Sequence, residues 1–199
     1  EAIELTVSAA EAGADYSLSV TPYYNKPTQQ GLFEHFQAVA RSVNLPIILY
    51  NVPGRTGCDL LNDTVVKLSQ IDNIVAIKDA TGDVARVAAL IEAVPDGFAV
   101  FSGDDATALE LMRRGGQGNV SVTANIAARD MAAMCNLALT GEWEAAAEID
   151  ARLRELNDLL FIEANPIPVK WVMAQRGMIE EGIRLPLTPL SEPCRGDLE

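Results

Sequence analysis

The feature that most constrains this chain is a repeated alternation of short apolar runs with longer amphipathic stretches. Each run is an almost unbroken apolar segment, which is typical of a parallel strand covered on both faces. The stretches between the runs place apolar residues at helical spacing. This alternation predicts a parallel α/β fold with right-handed crossovers. The five predicted strands are Tyr16–Thr21, Pro46–Asn51, Ile74–Asp79, Phe98–Ser102 and Asn119–Thr123.

Helices are predicted between these strands and after the last of them. The acidic pair Asp104-Asp105 resembles a metal or acid/base pair, but between a strand and a helix one of the two is expected to cap the helix. His35 lies in the middle of a helix and is interpreted as a structural or solvent-exposed residue. The predicted helical segments are Glu1–Ala10, Thr28–Val43, Asp83–Val94, a helix that ends at Gly115-Gly116, Ala127–Thr140, Glu142–Glu163 and a helix that begins near Pro168.

Polar segments rich in glycine or proline follow the strands at their carboxyl ends. A doubly wound sheet is the simplest alternative, yet no GxGxxG motif follows any strand, as a dinucleotide site requires. A (β/α)8 TIM barrel has its active site on the face where these segments would meet. Five strands cannot close such a barrel, so roughly three β-α units are expected before residue 1. We predict a partial catalytic barrel over residues 1–126, followed by the last barrel helix and a C-terminal helical region over residues 127–199.

Charge and cysteine content limit the function classes. The formal net charge of the 199 residues is −13, which argues against nucleic acid or an anionic membrane as a partner. Three cysteines without CxxC spacing and a single histidine argue against a zinc site and a disulfide framework. Reduced thiols, together with the lack of a signal peptide or of an apolar run of roughly 20 residues, predict a cytoplasmic protein. The chain starts without Met inside an amphipathic pattern, so its true N-terminus is expected upstream.

Lys78 follows the apolar run Ile74–Ile77 and is the strongest candidate for chemistry. An ammonium group next to so much apolar surface loses hydration, which lowers its pKa toward the nucleophilic amine. A free amine can condense with a ketone to an iminium, which is an electron sink for carbanion chemistry. The alternative is a lysine that reaches to solvent or pairs with Asp79. Asp79 points to the opposite face of the strand, which weakens the ion-pair interpretation.

Further candidates lie at other strand ends and on loops. Tyr50 ends the preceding strand and could relay protons beside Lys78, or it could be a packed residue with a hydrogen-bonded hydroxyl. Arg55, on a loop held by proline and glycine, suits a carboxylate, or it is a solvated surface arginine. The adjacent pair Tyr23-Tyr24 is typical of packing or interface residues. No single one of these residues decides the function.

The strand-end and loop motifs occur in a combination that is far more specific than its parts. These motifs are Val20–Pro27, Tyr50–Gly57, Ile77–Gly82, Ser102–Asp105, Val120–Asn125 and Asn165–Lys170. In order and spacing they resemble the dihydrodipicolinate synthase (4-hydroxy-tetrahydrodipicolinate synthase) family, within the pyruvate-dependent class I aldolase superfamily. The resemblance covers essentially the whole chain.

The resemblance implies a role for each matching residue. Lys78 matches the family's Schiff-base lysine, and Tyr50 matches its proton-relay tyrosine. Tyr24 matches the tyrosine that completes the relay of a neighbouring subunit, and Arg55 matches the arginine that receives the carboxylate of aspartate semialdehyde. By the same resemblance, Gly103 and Val120 line the pyruvate pocket, and Tyr23 belongs to a lysine-inhibitor site at the dimer interface.

The implied reaction joins pyruvate with L-aspartate 4-semialdehyde to form 4-hydroxy-tetrahydrodipicolinate, in lysine and diaminopimelate biosynthesis. It implies no metal and no organic cofactor. The resemblance further implies a homotetramer built as a dimer of dimers, lysine as a candidate effector, and neither a nucleic-acid nor a membrane partner.

One departure from the family pattern leaves alternatives open. The family's first strands carry a Gly-Thr-Thr-Gly-Glu segment that this sequence lacks, and the chain ends short of the family's last helix, so a fragment of a longer enzyme is expected. The alternatives are another pyruvate-dependent aldolase, acting on N-acetylneuraminate or a 2-keto-3-deoxy sugar acid, and a non-catalytic truncated paralogue that serves as a binding or oligomerisation module. Arg55 favours a second substrate with its own carboxylate over a polyol chain.

Overall fold

The structure, a computed structural model that describes residues 1–198, contains a five-stranded parallel sheet. Neighbouring strands in the sheet are neighbours in sequence, so the strand order never reverses. A doubly wound sheet reverses its order at the binding crevice, whereas successive barrel units do not. The arrangement is therefore that of consecutive barrel units. The strands are β1 (Ser17–Val20), β2 (Ile47–Asn51), β3 (Ile74–Asp79), β4 (Ala99–Ser102) and β5 (Gly118–Asn119).

Helices connect these strands and make up most of the remaining chain. Two of the predicted helices begin at a side-chain N-cap: Thr28 accepts a hydrogen bond from the N–H of Gly31, and Asp83 accepts one from the N–H of Arg86. The helices are α1 (Ala2–Glu11), α2 (Gln29–Ser42), α3 (Pro53–Thr56), α4 (Asn62–Leu68), α5 (Val84–Ala93), α6 (Ala108–Arg113), α7 (Ala124–Leu139), α8 (Trp143–Leu159), α9 (Ile167–Gln175) and α10 (Glu192–Arg195), with a 3-10 turn at Asp105–Thr107 before α6.

The two faces of the sheet have different surroundings. On one face, alternate side chains such as Ile47, Leu49 and Ile77 are fully buried in an apolar core with residues of the helices. Burial of each such side chain stabilises the fold by about 1.5–3 kcal/mol. The opposite face carries Leu18, which is 49% exposed, and, in register across three strands, Val20, Tyr50 and Lys78. Polar side chains of the strands are therefore presented on the face that the helices leave open.

Three local predictions were wrong. Asn119–Thr123 is not a strand beyond Asn119, because the chain turns after Val120 and the Ser121 hydroxyl accepts from the N–H of Ala124 at 2.8 Å, at the start of α7. The helix α4 was missed between β2 and β3. The expected carboxylate cap at Asp104-Asp105 is also absent. Over residues 105–113, neither the 3-10 turn nor α6 has a side-chain hydrogen bond at its N-cap.

The described chain divides into two compact units, Glu1–Val120 and the part from Ser121 onward. The first unit contains the sheet. In the second, α7 packs on α8, and Leu160, Val169 and Val172 form a separate buried cluster. The domain boundary predicted at residues 126/127 stays a prediction. Among the helices of residues 1–198, none combines the length and the apolar character needed to cross a membrane.

Candidate active site

Tyr50 and Lys78 are brought together by strand register. They are paired residues at the carboxyl ends of β2 and β3, so their side chains leave the sheet on the same face. The Nζ atom of Lys78 lies 4.3 Å from the centroid of the Tyr50 ring. The expected proximity of the two side chains is therefore observed. The Tyr50 hydroxyl and the Lys78 amine thus belong to neighbouring side chains on one face of the sheet, an arrangement suited to proton transfer through a bound substrate.

Gly103 provides the space in which the Lys78 side chain lies. A Cβ atom built on Gly103 would stand 2.7 Å from Cε of Lys78 and 2.9 Å from Cβ of Ala80. The backbone of Gly103 is held in this position, because its N–H donates to the carbonyl of Asp79 at 2.7 Å. Only glycine fits at so close an approach without moving a neighbour. Gly103 thus determines where the lysine amine can be.

The surroundings of Lys78 shift the pKa of its ammonium group in opposite directions. Burial lowers the pKa of the Lys78 ammonium, the negative charge of Asp105 raises it in part, and the positive charge of Arg55 lowers it further, with a net lowering. The cause is loss of hydration, as expected beside an apolar strand. Asp105 is only 2% exposed and accepts a hydrogen bond from the amide of Asn119 at 2.7 Å. The site therefore favours the neutral amine and keeps an anion near it.

Tyr50 is adapted to remain protonated. Burial raises the pKa of its hydroxyl, and the charge of Arg55 opposes that shift in part. The Tyr50 hydroxyl therefore keeps its proton across the physiological pH range and is able to donate it. A donor and an amine nucleophile are the two groups that Schiff-base formation needs at one carbonyl carbon.

Arg55 lies in helix α3, the short turn that follows β2. This turn begins with Pro53 at its first position and ends at Gly57, whose φ of 65° lies in the left-handed region. Arg55 is exposed, and none of the ion pairs among residues 1–198 involves it. A cavity of about 410 Å³ on the open side of the sheet is lined by Leu18, Val20, Tyr23, Tyr50, Val52, Arg55 and Thr56. This cavity joins the tyrosine to the guanidinium.

Tyr24 and Val120, which were both expected at the site, are more exposed than Tyr50 and Lys78. Tyr24 has a φ of 68°, an uncommon backbone conformation for a tyrosine, and its side chain is 92% exposed. Val120 follows β5, where its N–H donates to the carbonyl of Ser102 at 2.8 Å, and its side chain is 40% exposed. By strand register Val120 is level with Gly103. The pocket position expected for Val120 stays a prediction.

Two parts of the site had been missed from the sequence. Asp105 was expected to be a helix cap, but it is a buried carboxylate whose charge acts on Lys78. A hydrogen-bonded group behind the sheet, Asn51, Asp59 and Arg86, was not anticipated at all. No local motif marks it, because its members are distant in sequence. Within residues 1–198 no group of His, Cys, Asp and Glu side chains could hold a metal ion; the prediction that no cofactor is needed stays a prediction.

The whole chain, residues 1–199, matches the family model described as the dihydrodipicolinate synthetase family. The chain belongs to this family. It is 61% identical over 191 residues to the 4-hydroxy-tetrahydrodipicolinate synthase of Nitrosomonas eutropha, with 96% of the chain and 65% of that relative covered. To the enzyme of the same name from Marinobacter nauticus it is 58% identical, with 100% of the chain and 68% of the relative covered. The chain thus spans about two thirds of the length of these relatives.

Solved structures of the family agree with the fold. A chloride-inhibited dihydrodipicolinate synthase from Acinetobacter baumannii, complexed with pyruvate, is 57% identical and has a TM-score of 0.97, with 98% of this chain and 67% of that one covered. An enzyme from Cyanidioschyzon merolae with lysine bound is 40% identical and has a TM-score of 0.95, with 98% and 67% covered. The predicted fold class, part of a (β/α)8 barrel followed by a C-terminal helical region, is confirmed.

Proposed function

We propose that this chain carries the nucleophile of a Schiff-base lyase that condenses pyruvate with L-aspartate 4-semialdehyde to give 4-hydroxy-tetrahydrodipicolinate. The observation that carries the proposal is the Lys78 amine, with its pKa lowered by burial, beside the Tyr50 ring on the open face of a barrel sheet. Membership of the dihydrodipicolinate synthetase family supports the substrate assignment.

In the proposed reaction, the neutral amine of Lys78 attacks the ketone carbon of pyruvate. The resulting carbinolamine takes up a proton from Tyr50 at its oxygen, loses water and becomes an iminium. The iminium withdraws electrons from the neighbouring methyl group, which gives a proton back to the Tyr50 oxygen and becomes an enamine. The enamine carbon then attacks the aldehyde, whose oxygen takes up that proton from Tyr50. The amino group of the second substrate finally attacks the iminium carbon, closes the ring and releases Lys78 as the free amine.

Arg55 supports the choice of the second substrate. Its guanidinium lies on the cavity that also contains Tyr50, and it has no carboxylate partner among the ion pairs of residues 1–198. A planar guanidinium suits bidentate binding of a carboxylate. Aspartate semialdehyde has a carboxylate at one end and an aldehyde at the other, so binding by Arg55 would direct the aldehyde toward Lys78.

Tyr24 supports an assembly of at least two subunits, and we propose a homotetramer. Its exposed ring is held in a left-handed backbone conformation, an arrangement that occurs mostly where function requires it. A neighbouring subunit whose relay it completes would bury that ring. Tyr23 lies on the same loop and is proposed as part of a lysine site; the relative from Cyanidioschyzon merolae with lysine bound supports lysine as the ligand.

Trapping with borohydride tests the proposal in the full protein that carries this chain. Incubation with pyruvate and reductant is expected to add one reduced pyruvyl group, located on Lys78 by peptide mass spectrometry. The same protein is expected to consume aspartate semialdehyde only together with pyruvate, and to leave N-acetylneuraminate and 2-keto-3-deoxygluconate intact. Activity on the sugar acids alone would contradict the substrate assignment, and a folded protein without an adduct would favour a binding module.

The pH dependence of trapping provides a second readout of the same experiment. Because the pKa of Lys78 is lowered, a larger fraction of its amine is neutral at a given pH than in an ordinary lysine. The trapping rate is therefore expected to rise with pH and to level off below about 10.4, the pKa of an unperturbed lysine. A rate that keeps rising through that value would show that burial does not activate Lys78.

Tyr50→Phe is expected to slow turnover by about 10²–10⁴-fold, the usual contribution of a positioned proton donor. The ring of phenylalanine retains the packing against Lys78, so the pyruvate adduct should remain detectable by trapping. Steady-state kinetics and trapping are measured on the same preparation. Tyr16→Phe, at an exposed tyrosine before β1, is the matched control. Unchanged turnover in Tyr50→Phe would exclude the relay.

A further inference from the structure

Behind the sheet, on the side away from Lys78, Arg86 of helix α5 occupies the centre of a hydrogen-bonded group. Its guanidinium binds the carboxylate of Asp59 with both ends, through distances of 2.7 and 2.9 Å, and also donates to the carbonyl of Leu60 at 2.7 Å. Such a bidentate pair fixes both position and orientation of its partner. Asp59 and Leu60 lie at the carboxyl end of the segment of residues 52–60, which carries Arg55. Arg86 therefore holds that end of the segment.

Asn51 holds the same segment from its other end. Its side chain is fully buried, its amide nitrogen donates to Asp59 at 3.0 Å, and its amide oxygen accepts from the N–H of Leu60 at 3.0 Å. Asn51 directly follows Tyr50 and points to the opposite face of β2. The carboxylate of Asp59 is thus shared between the residue next to Tyr50 and the guanidinium of Arg86.

Residues 52–60 therefore form a loop with two kinds of support. Inside the loop, the Thr56 hydroxyl bonds to the backbone of Val52 and Cys58, which gives the loop its own shape. At its base, Asn51 and Arg86 bind Asp59 and Leu60.

Two further side chains outside the loop also bind it. Gln29 donates to the carbonyl of Asp59 at 2.7 Å, and the Thr21 hydroxyl donates to the Thr56 hydroxyl at 3.4 Å. Since Arg55 lies in the middle of this loop, the placement of its guanidinium depends on these supports, to which Arg86 contributes a bidentate ion pair.

The charges at this position reinforce the arrangement. The hydrogen bonds from Arg86 hold the pKa of Asp59 below its usual value, with burial opposing and the Asn51 bond and the Arg86 charge adding to the shift. Asp59 therefore remains a carboxylate and keeps accepting from both partners. With a neutral side chain at position 86, this half-buried carboxylate would lose its ion pair. Within residues 1–198 it would then keep the hydrogen bond from the Asn51 side chain.

The geometry points to Arg86 as a positioning residue that fixes the Arg55 loop for the second substrate. The inference rests on the proposed function, because it assigns Arg86 an effect on the semialdehyde step and not on the pyruvate step. Lys78 itself is held by β3 and by the space at Gly103, whereas the hydrogen bonds of the Arg86 guanidinium go to Asp59, Leu60 and Asn62. Loss of Arg86 should therefore separate the two steps.

Arg86→Ala is expected to lower kcat/KM for aspartate semialdehyde by about 10–100-fold, chiefly through KM, as when residues that orient a binding group are removed. Pyruvate trapping should proceed at the parent rate. Arg86→Lys should restore part of the loss, since a lysine supplies the charge without the fork. Arg114→Ala is the control, because Arg114 pairs with Glu110 on the exposed surface at 3.1 Å.

Hydrogen exchange of the peptide that contains residues 52–60 provides a readout that does not depend on catalysis. It should become faster in Arg86→Ala and stay at the parent rate in Arg114→Ala. Asp59→Asn, which weakens the same bonds with less loss of volume, serves if Arg86→Ala does not fold. The double variant of Arg86→Ala and Asp59→Asn should lose no more kcat/KM for aspartate semialdehyde than either single variant, because the pair acts as a unit.

The outcomes distinguish the two proposals. Equal loss of trapping and turnover in Arg86→Ala would overturn the role of Arg86. Unchanged hydrogen exchange of residues 52–60 in both Arg86→Ala and Asp59→Asn would do the same. A parent protein that forms no pyruvate adduct would overturn the proposed function, while exchange would still decide whether Arg86 holds the loop. Slower semialdehyde kinetics, normal trapping and faster loop exchange together would support both.

Discussion

Lys78→Arg is expected to abolish the pyruvate adduct and to reduce turnover by on the order of 10³–10⁶-fold, the range that follows removal of a catalytic nucleophile. Arginine retains a long side chain that can pack beside Tyr50. A guanidinium stays protonated in proteins and does not condense with a ketone. The substitution therefore removes the nucleophile and places a permanent positive charge near Asp105. Trapping and steady-state kinetics of the purified variant measure both effects.

The control for this substitution is Lys67→Arg, at an exposed lysine in the last turn of α4. It makes the same chemical change away from the open face of the sheet and should leave trapping and turnover at the parent values. Thermal unfolding of both variants should resemble that of the parent. An adduct that persists in Lys78→Arg would assign the nucleophile to another lysine and would remove the central observation of the proposed function.

The sequence was sufficient to predict the sheet and the main pair of the site, for a physical reason. A parallel strand covered on both faces has a continuous apolar signal, so Ile74–Asp79 was predicted with its correct bounds. Residues that end successive parallel strands lie at one edge, which is why Tyr50 was expected beside Lys78. Helix α4 was missed because seven residues, Asn62–Leu68, span barely two turns and give little periodicity.

The parts of the site that could not be predicted depend on distances across the sheet. The family resemblance named Gly103 as a pocket residue, but nothing in the local sequence shows that it has to be glycine because of Lys78 on the neighbouring strand. Asp105 has the local signature of a helix cap, and tertiary packing assigns it to a buried position near the amine. Arg86 and Asp59 are 27 residues apart, so their pairing is visible only in three dimensions.

Gly103→Ala is expected to lower the rate of pyruvate trapping by about 10²-fold, the loss that follows a misplacement of about 1 Å in a reacting group. The added methyl group would lie 2.7 Å from Cε and 3.0 Å from Cγ of Lys78, so the lysine side chain has to leave its position. The φ angle of Gly103 lies outside the left-handed region, so the expected effect is steric and not a matter of backbone strain. Trapping kinetics, with thermal unfolding to follow the overpacking cost of about 1–3 kcal/mol, measure it.

Two comparisons identify crowding of the lysine as the cause. Gly182→Ala adds the same methyl group where no atom lies within 4 Å and should trap pyruvate at the parent rate. Ala80→Gly combined with Gly103→Ala removes the 2.9 Å contact with Cβ of Ala80 but not the contacts with Lys78, so it should recover stability without recovering trapping. Recovery of trapping in the double variant would place the conflict at Ala80. In that case Gly103 would shape the loop, and the position of the Lys78 amine would be set by β3 and Tyr50 alone.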